Sequence, residues 1–71
     1  MERIPVSSTD IASVGYETDT QTLEVEFRSG TVYQYFNVPK FHYEGLLNAS
    51  SKGRYFNEHI KNGGYAYAKV G

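Results

Sequence analysis

Seventy-one residues make a single domain, 1–71, with a small core, because a chain this short keeps a high ratio of surface to volume. Cysteine is absent, which excludes disulfides and thiolate metal sites, so seven tyrosines and four phenylalanines must supply the buried bulk. The net charge of −1 conceals an asymmetry: residues 1–36 carry −4 (Glu2, Asp10, Glu17, Asp19, Glu24 and Glu26 against Arg3 and Arg28), and residues 37–71 carry +3 (Lys40, Lys52, Arg54, Lys61 and Lys69 against Glu44 and Glu58). A basic half of this kind suits an anionic partner, or is an ordinary surface of mixed signs. No apolar run approaches the ~18 residues of a membrane span. The N-terminus lacks the basic and then apolar design of a signal peptide. The expectation is a soluble, cytoplasmic protein with no membrane partner.

Ile11 to Tyr16 reads as a first strand, with Ala12, Val14 and Tyr16 on one side. Glu17 to Gln21 is polar and fits a turn. Over Thr22 to Phe27, Leu23, Val25 and Phe27 alternate with Thr22, Glu24 and Glu26, the period of a strand with one buried and one wet face. After Ser29-Gly30 the chain returns as Thr31 to Phe36. Pro39 suits the first turn of a helix running to Asn48, with Tyr43, Leu46 and Leu47 as its apolar stripe and Phe41 beside it. Ser51 is a candidate N-cap for a second helix, in which Tyr55, Phe56, His59 and Ile60 recur at helical spacing. Asn62-Gly63-Gly64 stops it. Tyr65 to Val70 alternates again and is either a fourth strand or an ordered tail. The fold class is therefore α+β, a three-stranded antiparallel meander covered by two helices, in the order β-β-β-α-α with a closing strand as an option.

The register of the second hairpin decides which way Tyr33 and Tyr35 point. A two-residue turn at Ser29-Gly30 pairs Phe27 with Val32 and leaves the tyrosines on the wet face with Glu24 and Glu26. A three-residue loop, Arg28-Ser29-Gly30, pairs Phe27 with Thr31 and turns them toward the core. Glycine third in the loop favours the inward arrangement, whereas Val32 and Phe36 pull toward the other. Tyr33 and Tyr35 are thus either a stacking platform or packing.

Candidate chemistry is sparse. Ser50-Ser51-Lys52-Gly53-Arg54 opens the second helix, where free amides and cations favour an anion; the plainer reading is a capped helix with solvated Lys52 and Arg54. Tyr65 and Tyr67, set between Lys61 and Lys69, interleave aromatics with cations as binders of single-stranded nucleic acid do; the plainer reading is an edge strand resting its rings on a helix. His42 and His59 are too few for a metal site, and His59 reads as a partly buried ring on the apolar side of its helix. Glu24 and Glu26 read as a solvated strand surface. No serine or threonine sits in a nucleophile motif. No catalytic residue, metal or cofactor is expected, and hence no enzyme.

The ordered set Ile11-Ala12-Ser13-Val14-Gly15-Tyr16, Leu23-Glu24-Val25-Glu26-Phe27, Gly30, Tyr33-Gln34-Tyr35, Val38-Pro39, Leu46-Leu47, Ser51-Lys52-Gly53, Tyr55-Phe56-Asn57 and Ile60 resembles the KTSC domain, a short domain found at the C-terminus of some lysyl-tRNA synthetases and as stand-alone bacterial proteins. The resemblance implies a small module for which RNA binding is proposed from its association with a synthetase. Here Gly63, Gly64, Ala66 and Ala68 stand where a more basic end would serve RNA better. Two expectations follow. One is an RNA- or tRNA-binding module using Lys52, Arg54, Lys61, Tyr65, Tyr67 and Lys69. The other is a protein-interaction module using a sheet edge and exposed tyrosines. Oligomeric state is not set by the sequence.

Overall fold

Alternating side chains and short polar turns build one antiparallel sheet. The computed structural model describes residues 1–71 and shows five strands in chain order: β1 (Ile4–Pro5), β2 (Ile11–Glu17), β3 (Thr22–Phe27), β4 (Val32–Tyr35) and β5 (Tyr67–Lys69). Between β4 and β5 lie α1 (Lys40–Asn48) and α2 (Lys52–Phe56), and α2 widens into a π-turn over Asn57–Lys61. The closing strand exists, and a further one, β1, adds to the opposite edge. Two residues including Pro5 offer no alternation to read, and a proline is tolerated there because the position is an edge.

The β3–β4 hairpin settles the register. Val25 pairs with Tyr33 and Leu23 with Tyr35, while the Phe27 amide donates to the Thr31 carbonyl (2.9 Å) and the Gly30 amide to the Phe27 carbonyl (2.9 Å). The loop is Arg28-Ser29-Gly30, with Gly30 at φ +95° as a left-handed third position requires. Tyr33 and Tyr35 therefore point to the helix-covered face, and Val32 is placed with Glu24 and Glu26 on the other.

One bulge alters the first-strand expectation. Ile11 pairs with Phe27 but Ser13 with Glu26, so Ala12 is the extra residue. Ile11 and Val14 both reach the core, where a strict period of two put Ala12 with Val14. The buried core joins these two to Leu23, Val25, Tyr35, Val38, Leu46, Phe56 and Ile60. Leu46 comes from α1 and Phe56 from α2, so the helix pair roofs the sheet as its apolar stripes require. Ser51 occupies the N-cap position, but its side chain makes no capping bond. The turn into α2 is held instead by the Lys52 Nζ, which donates to the Ala49 carbonyl (2.9 Å). No helix is long and apolar enough to cross a membrane.

Candidate nucleic-acid interface

The helices do not cover the whole sheet face. At the β4–β5 end a cavity of about 380 Å³ is lined by Phe27, Tyr33, Tyr35, Phe56, Asn57, Lys61, Asn62 and Tyr67. Its floor is aromatic because β4 puts Tyr33 and Tyr35 inward and β5 pairs Tyr67 with Tyr35 and Lys69 with Tyr33. Cross-strand partners share a face, so Lys69 stands on the groove side beside Tyr33. Tyr35 is 6% exposed and belongs to the core, whereas Tyr67 is 63% exposed. The Tyr67 ring stacks on Tyr35 at 5.4 Å and 29°. Burial, and then the nearby Tyr67 and Tyr33, push the Tyr35 phenol up, so it stays a neutral hydroxyl.

The opposite rim is the π-turn. The Asn62 amide donates to the Asn57 carbonyl (3.2 Å), an i→i+5 closure. In an ordinary helix, residues five apart diverge by roughly 140° around the axis. The wider turn brings Asn57, Lys61 and Asn62 onto one rim. These two asparagines escaped sequence reasoning, because a π-turn leaves no periodic signal. Lys61 and Lys69 make no ion pair: the two in the structure are Arg3–Glu24 and Arg54–Glu58.

Lys52 and Arg54 lie elsewhere. With Arg28 they line a wholly polar furrow of about 800 Å³, alongside Ser7, Ser8, Thr9, Asp10, Ser51 and Glu58. Every cation there has a local partner. Arg28 donates to the carbonyls of Ser8 (3.1 Å) and Val6 (3.0 Å). Lys52 donates to Ala49, and Arg54 to Glu58 (2.9 Å). A side chain at Gly53 would meet the Asp10 carboxylate at 3.0 Å, so an acid already sits against the opening of α2. The furrow and the groove adjoin, since Asn57 borders both.

Tyr65 faces away from the groove. Its ring meets His42 edge-on at 6.3 Å, in a cluster where His42 and His59 stack at 5.6 Å and Tyr55 lies 4.4 Å from His59. His59 is exposed, not partly buried as its helical spacing suggested; Ile60 takes the inward position of the turn. Burial and then the charge of His59 lower the His42 pKa. No group of three or more histidines, aspartates or glutamates comes together as a metal site. Glu24 corrects another expectation, being 6% exposed rather than solvated. Arg3, folded over the outer face, binds it, Gln34 donates to it (2.8 Å), and Ser13 donates to Glu26 (2.8 Å).

Comparison with known proteins adds a context. The family profile described as "KTSC domain" matches residues 7–70. An uncharacterised protein of Stutzerimonas stutzeri is 41% identical over 70 residues, 99% of each chain. A lysine–tRNA ligase of Nostoc punctiforme is 55% identical over 51 residues, 72% of this chain and 9% of the ligase. The crystal structure of a KTSC domain protein from Yersinia pestis, 41% identical, superposes with a TM-score of 0.92 over 99% of this chain and 97% of that one.

Proposed function

The chain belongs to the KTSC domain family, and on that premise we propose that it is a non-catalytic, cytoplasmic binding module whose ligand is RNA, tRNA included. The observation that carries the reading is the convergence of Tyr33, Tyr67 and Lys61 on one open groove, with Lys69 on the same face. Exposed rings stack on bases irrespective of sequence, and unpaired ammonium groups meet phosphates. The occurrence of a similar segment inside a lysine–tRNA ligase supports the same ligand class. The furrow at Lys52 and Arg54 is secondary, because its cations are already engaged and Asp10 and Glu58 line it.

The test is a titration with tRNA and with single-stranded RNA at low salt, repeated across a salt series. Lys61→Ala and Lys69→Ala should each weaken binding and lower the salt slope by about one. Lys52→Ala with Arg54→Ala should change both little. Absence of binding at roughly millimolar protein and low salt, beyond even the non-specific range, would overturn the reading.

The β5 edge supports a second reading. Ala66 and Val70 bond to β4 through Phe36 and Val32, which leaves the backbone groups of Tyr67 and Lys69 facing outward. An extended peptide could add there as a sixth strand. Such binding would be insensitive to nuclease and nearly insensitive to salt.

A further inference from the structure

The groove is built as more than a charged aromatic strip, and we infer that it takes one unpaired base, an adenine, read by the side-chain amides of Asn57 and Asn62. This inference rests on the RNA reading above and names the nucleotide class of that site. Tyr67 is stacked by one face on Tyr35 and is 63% exposed, so it presents an open ring. Tyr33 is tilted to it at 59° with centroids 6.1 Å apart, closing one side. A cavity of about 380 Å³ sits at the lower end of small-ligand sites. That is room for a single base, and a base stacks there only if it is unpaired.

The opposite rim supplies the reading groups. Asn57 and Asn62 are exposed and line the same cavity, brought together by the i→i+5 closure. A carboxamide offers one acceptor and a donor side by side, which adenine and cytosine both match with an amino group beside a ring nitrogen; adenine is favoured because its two fused rings cover more of the open Tyr67 ring. Lys61 between them and Lys69 across the groove meet the flanking phosphates. In the furrow beyond Asn57, Arg28, Lys52 and Arg54 are already bonded within the protein and Asp10 and Glu58 stand beside them, so the sugar–phosphate chain gains little by continuing into it. The footprint is therefore short, one base with its two neighbouring phosphates.

The experiment compares short homopolymeric RNA oligonucleotides, a strand of the same length abasic at every position, and a fully paired duplex, by fluorescence anisotropy at fixed low salt. The wild-type protein should prefer oligoadenylate over the other homopolymers by roughly ten-fold, and lose about the same factor on the abasic strand and the duplex. Asn57→Ala and Asn62→Ala should bring the homopolymers to within about three-fold of one another while leaving the salt slope unchanged. Both side chains are exposed, so thermal melting of the two variants should be unchanged, which checks that the fold persists. Equal affinity for all homopolymers, or an abasic strand bound as tightly as oligoadenylate, overturns the inference and leaves RNA binding standing. A preference that survives both asparagine substitutions overturns it equally. Failure of every RNA to bind removes the RNA reading itself and the inference with it.

Discussion

Removing Arg3 should invert the contribution of Glu24 to the pH dependence of stability. Glu24 lies on the outer face of the sheet, 6% exposed. Burial alone would push its carboxyl up, but hydrogen bonds from Gln34 and Arg3, the Arg3 charge and the terminal amine outweigh burial and hold it below its ordinary value of 4.5. A carboxyl with a depressed folded-state pKa contributes stability above the ordinary value and loses it as pH falls through the depressed one. In Arg3→Ala both Arg3 contributions go while the Gln34 bond and the terminal amine remain, so burial, the largest single influence, is offset less and the carboxyl moves up. Glu24 then costs stability at neutral pH, and that cost is relieved as pH falls toward 4.5. A buried charge that loses its cation and keeps only the neutral Gln34 donor and the terminal amine costs about 1–3 kcal/mol, and the partial exposure of Arg3 argues for the middle of that range. Against a net stability of about 3–5 kcal/mol, a loss of about 2 kcal/mol moves the urea midpoint by about 2 M at a slope near 1 kcal/mol/M. The assay is urea unfolding at pH 7 and pH 4.5 for the wild type, Arg3→Ala, Glu24→Gln and the double variant. The gap between wild type and Arg3→Ala should shrink at the lower pH, and the double variant should be more stable than Arg3→Ala at pH 7. Coincident wild-type and Arg3→Ala curves at pH 7, or a gap that widens on acidification, would mean that Arg3 does not hold Glu24 in its charged form.

Three more outcomes are expected. Tyr67→Ala should weaken RNA binding by about ten-fold with little effect on melting, whereas Tyr35→Ala should cost about 3–5 kcal/mol and leave little folded protein, because Tyr35 is core and Tyr67 is not. Gly45→Ala should lower the melting temperature despite alanine's better helix propensity, since the new Cβ would lie 2.6 Å from the Tyr55 ring and force it off α1. The His42 pKa is lowered by burial and then by the neighbouring His59, so the folded state resists protonation and stability should fall as pH drops from 7.5 through the ordinary value of 6.5; His42→Gln should flatten that part of a melting-temperature profile.

Local pattern was enough to place much of the interior, though not Ile11, which the bulge at Ala12 turns inward, nor Tyr35, whose direction hung on the hairpin register. Alternation at Leu23, Val25 and Phe27, helical spacing at Leu46, Phe56 and Ile60, and the glycine in the Arg28-Ser29-Gly30 loop are local signals, and each was realised because burying apolar surface leaves a strand or helix one favourable orientation. Whatever depends on residues distant in the chain was set by long-range packing. Only the folded sheet could show that Arg3 reaches across to Glu24, turning a wet strand face into a part-buried ion pair. Only β5 docking on β4 could set Tyr67 and Lys69 beside Tyr35 and Tyr33 and part them from Tyr65. The widening of α2 and its alignment with that edge placed Asn57, Lys61 and Asn62 along the same opening. Charge and aromatic content are additive along a chain and can be counted, but a binding surface depends on where long-range pairing brings them.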